Sequence, residues 1–343
     1  MIKNILQEAF ILKNKGYYKH SIEAFYKALE LDNTNIELLY EIAHVYFLMH
    51  NNERALNYIE QILEKEPTHI ETLQLLKKIF IEKNALQEAE QTAKNIYCIT
   101  KENVDLVEIF DLLNKQQKYS EIFEYAIDES NPEILYQIAY AKYYQNLLEE
   151  SKTLINKAIE ISIQNKYILL KGKILLKLNQ DDEAMNLIQN LTFDLNDSEM
   201  LNFIGIVYQR FGEYKKAIEK FSEALTCSKT QDECYYNCAS TYFKMGDINQ
   251  AKKYYNLAIS KNPDNQSYHF ALANLYYSER NYKRALEELK NDLYESRLLK
   301  AIILYDTGYI AIAQKEFEKL NQEYPQNDII INYINKIKND LKI

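Results

Sequence analysis

A pattern with a period of about 34 residues runs along the chain and constrains the fold more than any other feature. Residues 198–231 hold its clearest copy, in which two helix-length apolar segments are joined by a short turn at Phe211, Gly212 and Glu213. The residue near the start of the second segment is usually small, and its positions are Ser21, Ala55, Ala89, Ile122, Ser151, Ala184, Ala217, Ala251, Ala285 and Ala313. Because one helix pair cannot bury its apolar face alone, the pattern predicts ten stacked pairs rather than one globular core.

The scarce glycines and prolines support the same register. Only 6 Gly and 4 Pro occur in 343 residues, which favours helices with short connections. The turn inside a pair, where a left-handed backbone is expected, recurs at Gly16, Asn84, Asn146, Asn179, Gly212, Gly246 and Gly308. The other two glycines, Gly172 and Gly205, fall where two helices must approach closely. Second helices end before Pro67, Pro263 and Pro325, and Pro132 opens a first helix.

Two further register positions carry a resemblance to a known family. The first helix has a small residue at Ala9, Ala43, Ala139, Gly172, Gly205, Ala239, Ala273 and Ala301. The second helix has a large apolar residue at Phe25, Ile59, Ile155, Ile188, Phe221, Tyr255, Leu289 and Phe317. Over about residues 2–327 the chain resembles the tetratricopeptide repeat family, whose unit is a helix-turn-helix. The resemblance implies an all-α fold: a right-handed α-solenoid of about ten units with a C-terminal capping helix.

Two shortened units suggest how the array is divided. The second helix of the fourth unit ends before Pro132, and the ninth unit, 266–293, has Asp292 where a small apolar residue belongs. We therefore expect an N-terminal block of four units at 2–131 and a C-terminal block of six units at 132–327, with a change of superhelical path near 128–132. A capping helix is expected at 328–343, where Ile330, Tyr333, Ile334, Ile337 and Leu341 form one apolar stripe.

Charge and composition exclude several classes of partner. The formal net charge is -9 and the pI is about 5.3, so nucleic acid is not expected as a partner. No run of about 18 apolar residues occurs, so no membrane span is expected. The four cysteines do not form an evenly spaced framework, and the first residues do not have the pattern of a signal peptide. These features predict a cytoplasmic protein.

No constellation of residues predicts catalysis. The acidic residues that recur at the start of first helices, Glu37, Glu71, Glu133, Glu199, Glu233 and Glu295, are interpreted as favourable charges at helix N-termini. Cys227, Cys234 and Cys238 lie close together in sequence, and His269 is one repeat further on, which leaves a zinc site open as a minor alternative. Cysteine as a small buried residue is the favoured interpretation. The chain is therefore predicted to be no enzyme and to need no cofactor or metal.

The resemblance also implies where a partner would bind, because first helices line the concave face of such an array. The residues carried over in register are Tyr136, Tyr140, Tyr143, Asn202, Tyr236, Asn237, Phe243, Phe270, Asn274 and Tyr277. Tyrosine and phenylalanine supply contact area, and asparagine can pair with both groups of a peptide backbone. The alternative is that these rings only fill gaps between repeats. The cations with which some relatives hold a C-terminal carboxylate are missing, so that mode of recognition is not expected.

These observations favour a non-enzymatic scaffold or adaptor that binds a peptide or a partner helix and mediates the assembly of protein complexes. A self-assembling structural component that docks through its convex face or its ends is the alternative. An enzyme is the weakest hypothesis, since it depends on the cysteine group alone.

Overall fold

The computed structural model describes residues 2–125, 128–190, 197–227, 231–290 and 292–341, and within these it contains twenty-one α-helices and no strand. The first helices of the pairs are α1 (Ile2–Asn14), α3 (Ile36–Leu48), α5 (Ile70–Glu82), α7 (Asn103–Lys115), α9 (Pro132–Tyr144), α11 (Asn165–Lys177), α13 (Ser198–Arg210), α15 (Gln231–Lys244), α17 (Gln266–Ser278) and α19 (Tyr294–Asp306). The second helices are α2 (Tyr18–Leu29), α4 (Asn52–Lys65), α6 (Leu86–Thr100), α8 (Tyr119–Ile122), α10 (Leu148–Ile161), α12 (Asp181–Gln189), α14 (Tyr214–Thr226), α16 (Ile248–Lys261), α18 (Tyr282–Glu288) and α20 (Ile310–Glu323). The additional helix α21 is Asp328–Leu341, and residues 342 and 343 of the expected capping helix lie outside the described residues. The predicted all-α class and the paired helices are confirmed.

The chain divides into two compact bodies. We call Met1–Ile174 the N-terminal body and Leu175–Ile343 the C-terminal body. This division falls within α11, whereas the blocks expected from sequence meet at 131 and 132, and those blocks stay a prediction. The two short second helices are α8, with 4 residues, and α18, with 7 residues, and they belong to the fourth and ninth pairs.

Most pairs are packed through a small residue on the first helix and a large one on the second. Ala9 and Phe25 are both fully buried, and so are Ala301 and Phe317. In the seventh pair the approach is closest, because a Cβ atom at Gly205 would lie 2.4 Å from the ring of Phe221. Glycine is required there by the ring, as the sequence predicted.

Serine replaces alanine at the start of two second helices without leaving a polar group unpaired. The Ser21 hydroxyl donates a hydrogen bond to the carbonyl oxygen of Ala9 at 2.9 Å, and Ser151 does the same to Ala139 at 2.6 Å. Both hydroxyls are buried, so these hydrogen bonds avoid the cost of an unsatisfied group. Each bond joins the two helices of a pair.

The third pair departs from the size pattern. Lys77 occupies the small position of α5, and Ala93 occupies the large position of α6. Lys77 is only 6% exposed, and its ammonium group donates to the Glu108 carboxylate of α7. A buried lysine of this kind needs such a partner, because an unpaired ammonium group is costly to desolvate.

All ten turns inside the pairs use a residue with positive φ at the same position. Glycine supplies it four times and asparagine three times, but His50, Gln117 and Arg280 also adopt it, with φ of 56°, 60° and 60°. At Gly212 the φ is 74°, and the following amide, that of Glu213, donates to the Tyr208 carbonyl oxygen at 2.9 Å. The same hydrogen-bond pattern closes the other turns and satisfies carbonyl groups at the helix end.

The Arg280 turn allows a direct test of this backbone requirement. Arg280→Gly is expected to raise the free energy of unfolding by about 0.5 kcal/mol, because the left-handed strain removed exceeds the entropy that glycine adds to the unfolded chain. Gly212→Ala is expected to lower it by about 1 kcal/mol for the opposite reason. Urea denaturation of both variants measures the two changes. A loss of stability in Arg280→Gly would contradict the assignment.

Candidate functional site

Asn202 and Asn237 join two successive first helices, α13 and α15. The side-chain amide of Asn237 donates to the Asn202 Oδ1 atom at 2.8 Å. Asn202 is only 6% exposed, so its amide is directed to the neighbouring helix. The structure thus brings these two predicted site residues together, with Asn237 the more accessible of them.

A second polar contact lies along the same two helices. The Gln209 side-chain amide donates to the Thr241 hydroxyl at 2.7 Å, and the Lys244 ammonium group donates to Gln209 Oε1 at 3.2 Å. Thr241 is fully buried, whereas Lys244 is exposed. This bridge fixes the spacing between α13 and α15 and presents a positive charge at its outer end.

Tyr236 of α15 packs between repeats. Its ring centroid lies 5.0 Å from that of Tyr268 in a stacked arrangement and 5.8 Å from that of Tyr255. Burial raises the pKa of Tyr236, which keeps the hydroxyl protonated. These ring contacts are compatible with the alternative interpretation, that the groove aromatics fill gaps between repeats, while Tyr236 stays partly exposed.

One face of α17 offers both rings and an open amide. Phe270, Asn274 and Tyr277 follow each other at spacings of four and three residues, which places them on one side of the helix. Phe270 and Tyr277 are partly buried against the core of this body, and Phe243 of α15 packs against the same core. Asn274 between them is exposed. We call Phe270, Asn274 and Tyr277 the α17 face.

The tyrosines of α9 form a separate group in the N-terminal body. Tyr136 and Tyr140 have ring centroids 6.2 Å apart, while Tyr144 lies 4.7 Å from Tyr140 and 5.1 Å from Tyr143. Tyr144 also stacks on Tyr119 of α8 at 5.6 Å and is 51% exposed. Sequence reasoning did not select Tyr144, although its position four residues after Tyr140 indicates the same helix face.

A cation already occupies one ring of this group. The Lys166 ammonium group lies 5.1 Å from the Tyr136 ring centroid and 2.6 Å from a carboxylate oxygen of Glu133. The Tyr167 hydroxyl donates to the same Glu133 oxygen at 2.9 Å. Burial, followed by this hydrogen bond, raises the pKa of Tyr167. Tyr136 is therefore held within an ion-pair network between α9 and α11.

The N-terminal body also has a cavity of about 350 Å³ between α5 and α7. Its lining residues are Gln74, Lys77, Lys78, Ile81, Glu108, Asp111 and Leu112. The Lys77–Glu108 ion pair is part of this lining, so charges of both signs border the cavity.

The cysteine group does not have the surroundings of a metal site. Cys234 and Cys238 are fully buried, and burial raises the pKa of the Cys238 thiol to about 12, which disfavours the thiolate that binds zinc. His269 is bonded elsewhere, with Nδ1 2.7 Å from Glu288 and Nε2 3.0 Å from the Pro263 carbonyl oxygen. Within the described residues no group of three or more metal-binding side chains is present.

A repeated tyrosine–aspartate contact was missed by sequence reasoning. The Tyr277 hydroxyl of α17 donates to Asp306 at the end of α19 at 2.7 Å, and the Tyr305 hydroxyl of α19 donates to Asp340 of α21 at 2.7 Å. The first contact links the first helices α17 and α19, and the second links α19 to the additional helix α21. The paired residues are 29 and 35 apart in sequence, so no pattern within one repeat indicates these contacts.

None of the described helices is long and apolar enough to cross a membrane.

Comparisons with known proteins agree with the repeated architecture. Two tetratricopeptide repeat models match the chain, one at residues 3–35 and the other at residues 233–265. A TPR repeat-containing protein of Methanocaldococcus jannaschii is 26% identical over 326 residues, covering 89% of this chain and 55% of that protein. The BBSome complex member BBS4 of Bos taurus is 21% identical over 60% of this chain and 40% of its own length. This chain thus spans about half the length of these curated relatives or less.

A solved structure shares the fold over nearly the whole chain. It is a chain of the APC/C hetero-tetramer Cut9–Hcn1, which superposes with a TM-score of 0.60 at 10% identity. The match covers 97% of this chain and 75% of that chain. At this level of identity the likeness concerns the arrangement of helices alone.

Proposed function

Because the chain belongs to the tetratricopeptide repeat family, we propose that it is a non-enzymatic scaffold that binds a peptide or helix of a partner protein and mediates complex assembly. The α17 face is the observation that supports this most. It combines an exposed amide, that of Asn274, with the partly buried rings of Phe270 and Tyr277. Rings that the core holds in place lose little entropy on binding, and an exposed amide can pair with a peptide backbone.

The names of similar proteins support the same proposal. BBS4 is a member of the BBSome complex, and Cut9–Hcn1 is a hetero-tetramer. The resemblance to the repeat family implies that a partner binds on the first helices, and we include this binding mode in the proposal. The second surface of the proposal is the tyrosine group of α9, where Tyr140, Tyr143 and Tyr144 lie side by side.

An acidic net charge and four free cysteines support the further predictions of no nucleic-acid partner and a cytoplasmic location.

The α17 face can be tested by a double substitution. Phe270→Leu with Asn274→Ala is expected to weaken binding of the captured partner about tenfold, because the ring and the amide are both lost while the apolar volume is mostly kept. The measurement is a titration of the partner that the immobilised chain captures from its source cell.

A matched control lies on α16 and in the turn just before α20. Asn256→Ala with Tyr309→Leu changes an exposed amide and an aromatic residue that is 59% exposed, both outside the α17 face. This control should bind the partner as tightly as the unchanged chain. Equal weakening in both double variants, or unchanged affinity in the first, would remove the α17 face from the proposal.

Exposed apolar residues on the last helices favour one alternative, self-association. Tyr309, just before α20, is 59% exposed, Ile312 in the first turn of α20 is 51% exposed, and Ile329 of α21 is 50% exposed. A structural component of a larger assembly would bury such residues against its neighbours. Sedimentation over a hundredfold range of concentration discriminates between the two, since a persistent monomer removes self-association.

A further inference from the structure

The cavity between α5 and α7 has the lining of a binding site. Its volume of about 350 Å³ falls at the lower end of the range of about 300–1,000 Å³ that is typical of ligand pockets. An empty packing void is lined by apolar groups. This cavity is bordered by amide, ammonium and carboxylate groups together with Ile81 and Leu112, so its charges decide what it can hold.

Three residues of α5 form the open side of the cavity. Gln74, Lys78 and Ile81 follow each other at spacings of four and three residues, which places them on one face of the helix. The first two are exposed, and Ile81 is 41% exposed. The cavity therefore presents an amide, an ammonium group and an aliphatic side chain in consecutive turns.

Both carboxylates of the cavity already have a cation. Glu108 accepts a hydrogen bond from the ammonium group of Lys77, which is only 6% exposed. Asp111 forms an ion pair with Lys115 of the same helix, with the two atoms 2.6 Å apart. Neither carboxylate is thus left to neutralise a third ammonium group.

Lys78 is that third ammonium group. Among the described residues no carboxylate lies within ion-pair distance of it. Glu82, four residues further on, instead accepts a hydrogen bond from the Asn52 amide at 3.3 Å. The charge of Lys78 also acts on α3, since burial and Lys13 lower the pKa of His44 and Lys78 adds to this. The cavity and its bordering ion pairs therefore carry one positive charge in excess.

Lys77 is the residue that preserves this excess. It occupies the small position of α5, where its stem is buried and its ammonium group reaches Glu108. Without this ammonium group the Glu108 carboxylate would be an uncompensated negative charge in the lining shared with Lys78. We therefore assign Lys77 as a positioning residue and Lys78 as the residue that contacts the ligand.

We propose that this cavity binds an acidic side chain of an extended partner segment, with an aliphatic side chain two residues away against Ile81. Alternate side chains of an extended segment lie on one side, so both can enter together. The Lys78 ammonium group would pair with the carboxylate, and the Gln74 amide would donate to the same segment. This inference rests on the proposed scaffold function and names the chemistry of a ligand at a surface outside the α17 face.

Fluorescence anisotropy on the full chain tests the proposal with peptides labelled at the N-terminus and amidated at the C-terminus, so that neither end is charged. A peptide with glutamate and leucine two residues apart should bind at least fivefold more tightly than one with glutamine in place of glutamate. It should bind at least threefold more tightly than one with serine in place of leucine. Higher salt should weaken the glutamate peptide.

Lys78→Gln should weaken the glutamate peptide at least fivefold and remove its advantage over the glutamine peptide. The matched control is Lys65→Gln, in the exposed last turn of α4, which changes the net charge of the chain equally and should leave affinity unchanged. Equal binding of the two peptides, or unchanged affinity in Lys78→Gln, would overturn the proposal. Equal weakening by Lys65→Gln would do the same, because the peptide would then sense net charge rather than the cavity.

Lys77→Met tests the positioning role, because it keeps the buried stem and removes the ammonium group. The glutamate peptide should bind at least threefold more weakly, since Glu108 is then uncompensated, while the glutamine peptide keeps its affinity. Equal weakening of both peptides would show that Lys77 acts only on the shape of the cavity. Free N-acetylglutamate provides a further arm. If it binds as tightly as the peptide, the site takes a small carboxylate and the partner segment is wrong.

Failure of this inference is distinguishable from failure of the proposed function. If the glutamate and glutamine peptides bind equally while Phe270→Leu with Asn274→Ala still weakens partner capture, the scaffold function stands and the acidic ligand is wrong. If neither Lys78→Gln nor that double variant affects capture and no peptide binds, both proposals fail.

Discussion

Gly205→Ala is expected to lower the free energy of unfolding by about 1–3 kcal/mol, the range typical of overpacking in a well-packed core. A Cβ atom at this position would lie 2.4 Å from the Phe221 ring, well inside van der Waals contact. The ring is fully buried and cannot turn into solvent. Alanine has a better helix propensity than glycine by about 1 kcal/mol. The measured decrease in the free energy of unfolding is therefore the cost of the clash minus this gain.

The partner residue supplies the matched control. Phe221→Leu alone should lower the free energy of unfolding because it leaves a small cavity. In that background Gly205→Ala should be neutral or stabilising, since the clash is gone and the propensity gain remains. Urea denaturation of the two single variants and the double variant completes a thermodynamic cycle. An equal cost of Gly205→Ala in both backgrounds would show that the ring contact is not the cause.

Glu90→Gln should lower stability at neutral pH by about 1.5–3 kcal/mol, the range for hydrogen bonds to charged groups. The Glu90 side chain is 7% exposed and accepts hydrogen bonds from Lys94 at 2.6 Å, Lys118 at 2.7 Å and Gln116 at 2.8 Å. These donors come from α6 itself and from the turn between α7 and α8. Both ammonium groups are about one-third exposed, so they can turn toward water when the carboxylate is lost.

The pH dependence of this effect has a definite sign. Burial alone would raise the pKa of Glu90, but the hydrogen bonds from Lys118, Lys94 and Gln116 outweigh it and hold that pKa below its usual range. Its stabilisation is therefore present above the unfolded pKa of about 4.3 and is lost as pH falls through the lower folded value. The difference between the unchanged chain and Glu90→Gln should shrink below pH ~4. As a control, Glu64→Gln on an exposed part of α4 should leave the free energy of unfolding nearly unchanged, both at neutral pH and in acid.

The helix pairs could be predicted from sequence because they depend on local patterns. Positions such as Ala217, Phe221 and Gly212 recur at a fixed interval, and each is required by contacts or backbone angles within its own repeat. Ile22 and Phe25, four residues or fewer from the repeated small position, are buried for the same reason. Because these positions recur in most repeats, the pattern can be recognised even where a single repeat has a different residue.

The contacts between repeats could not be predicted in the same way. Asn202 and Asn237 are 35 residues apart, and Gln209 and Thr241 are 32 apart, so their pairing depends on how neighbouring helices rotate against each other. Tyr236 was predicted as a binding residue, and the sequence did not indicate that its ring also stacks on Tyr268. The repeat register restricts the candidate binding residues to one face of each first helix. Side-chain rotamers then decide which residue meets the next repeat and which is left open.

The left-handed turns have a consequence for engineering. Since each repeat contributes to stability through itself and its immediate neighbours, a local change of backbone strain acts mainly on one stretch of the array. His50, Gln117 and Arg280 place three adjustable positions in different repeats, and none of them belongs to the first-helix surfaces proposed for binding. The resistance of this protein to unfolding is thus divided along its length into segments that can be strengthened one at a time, with its recognition surfaces unchanged.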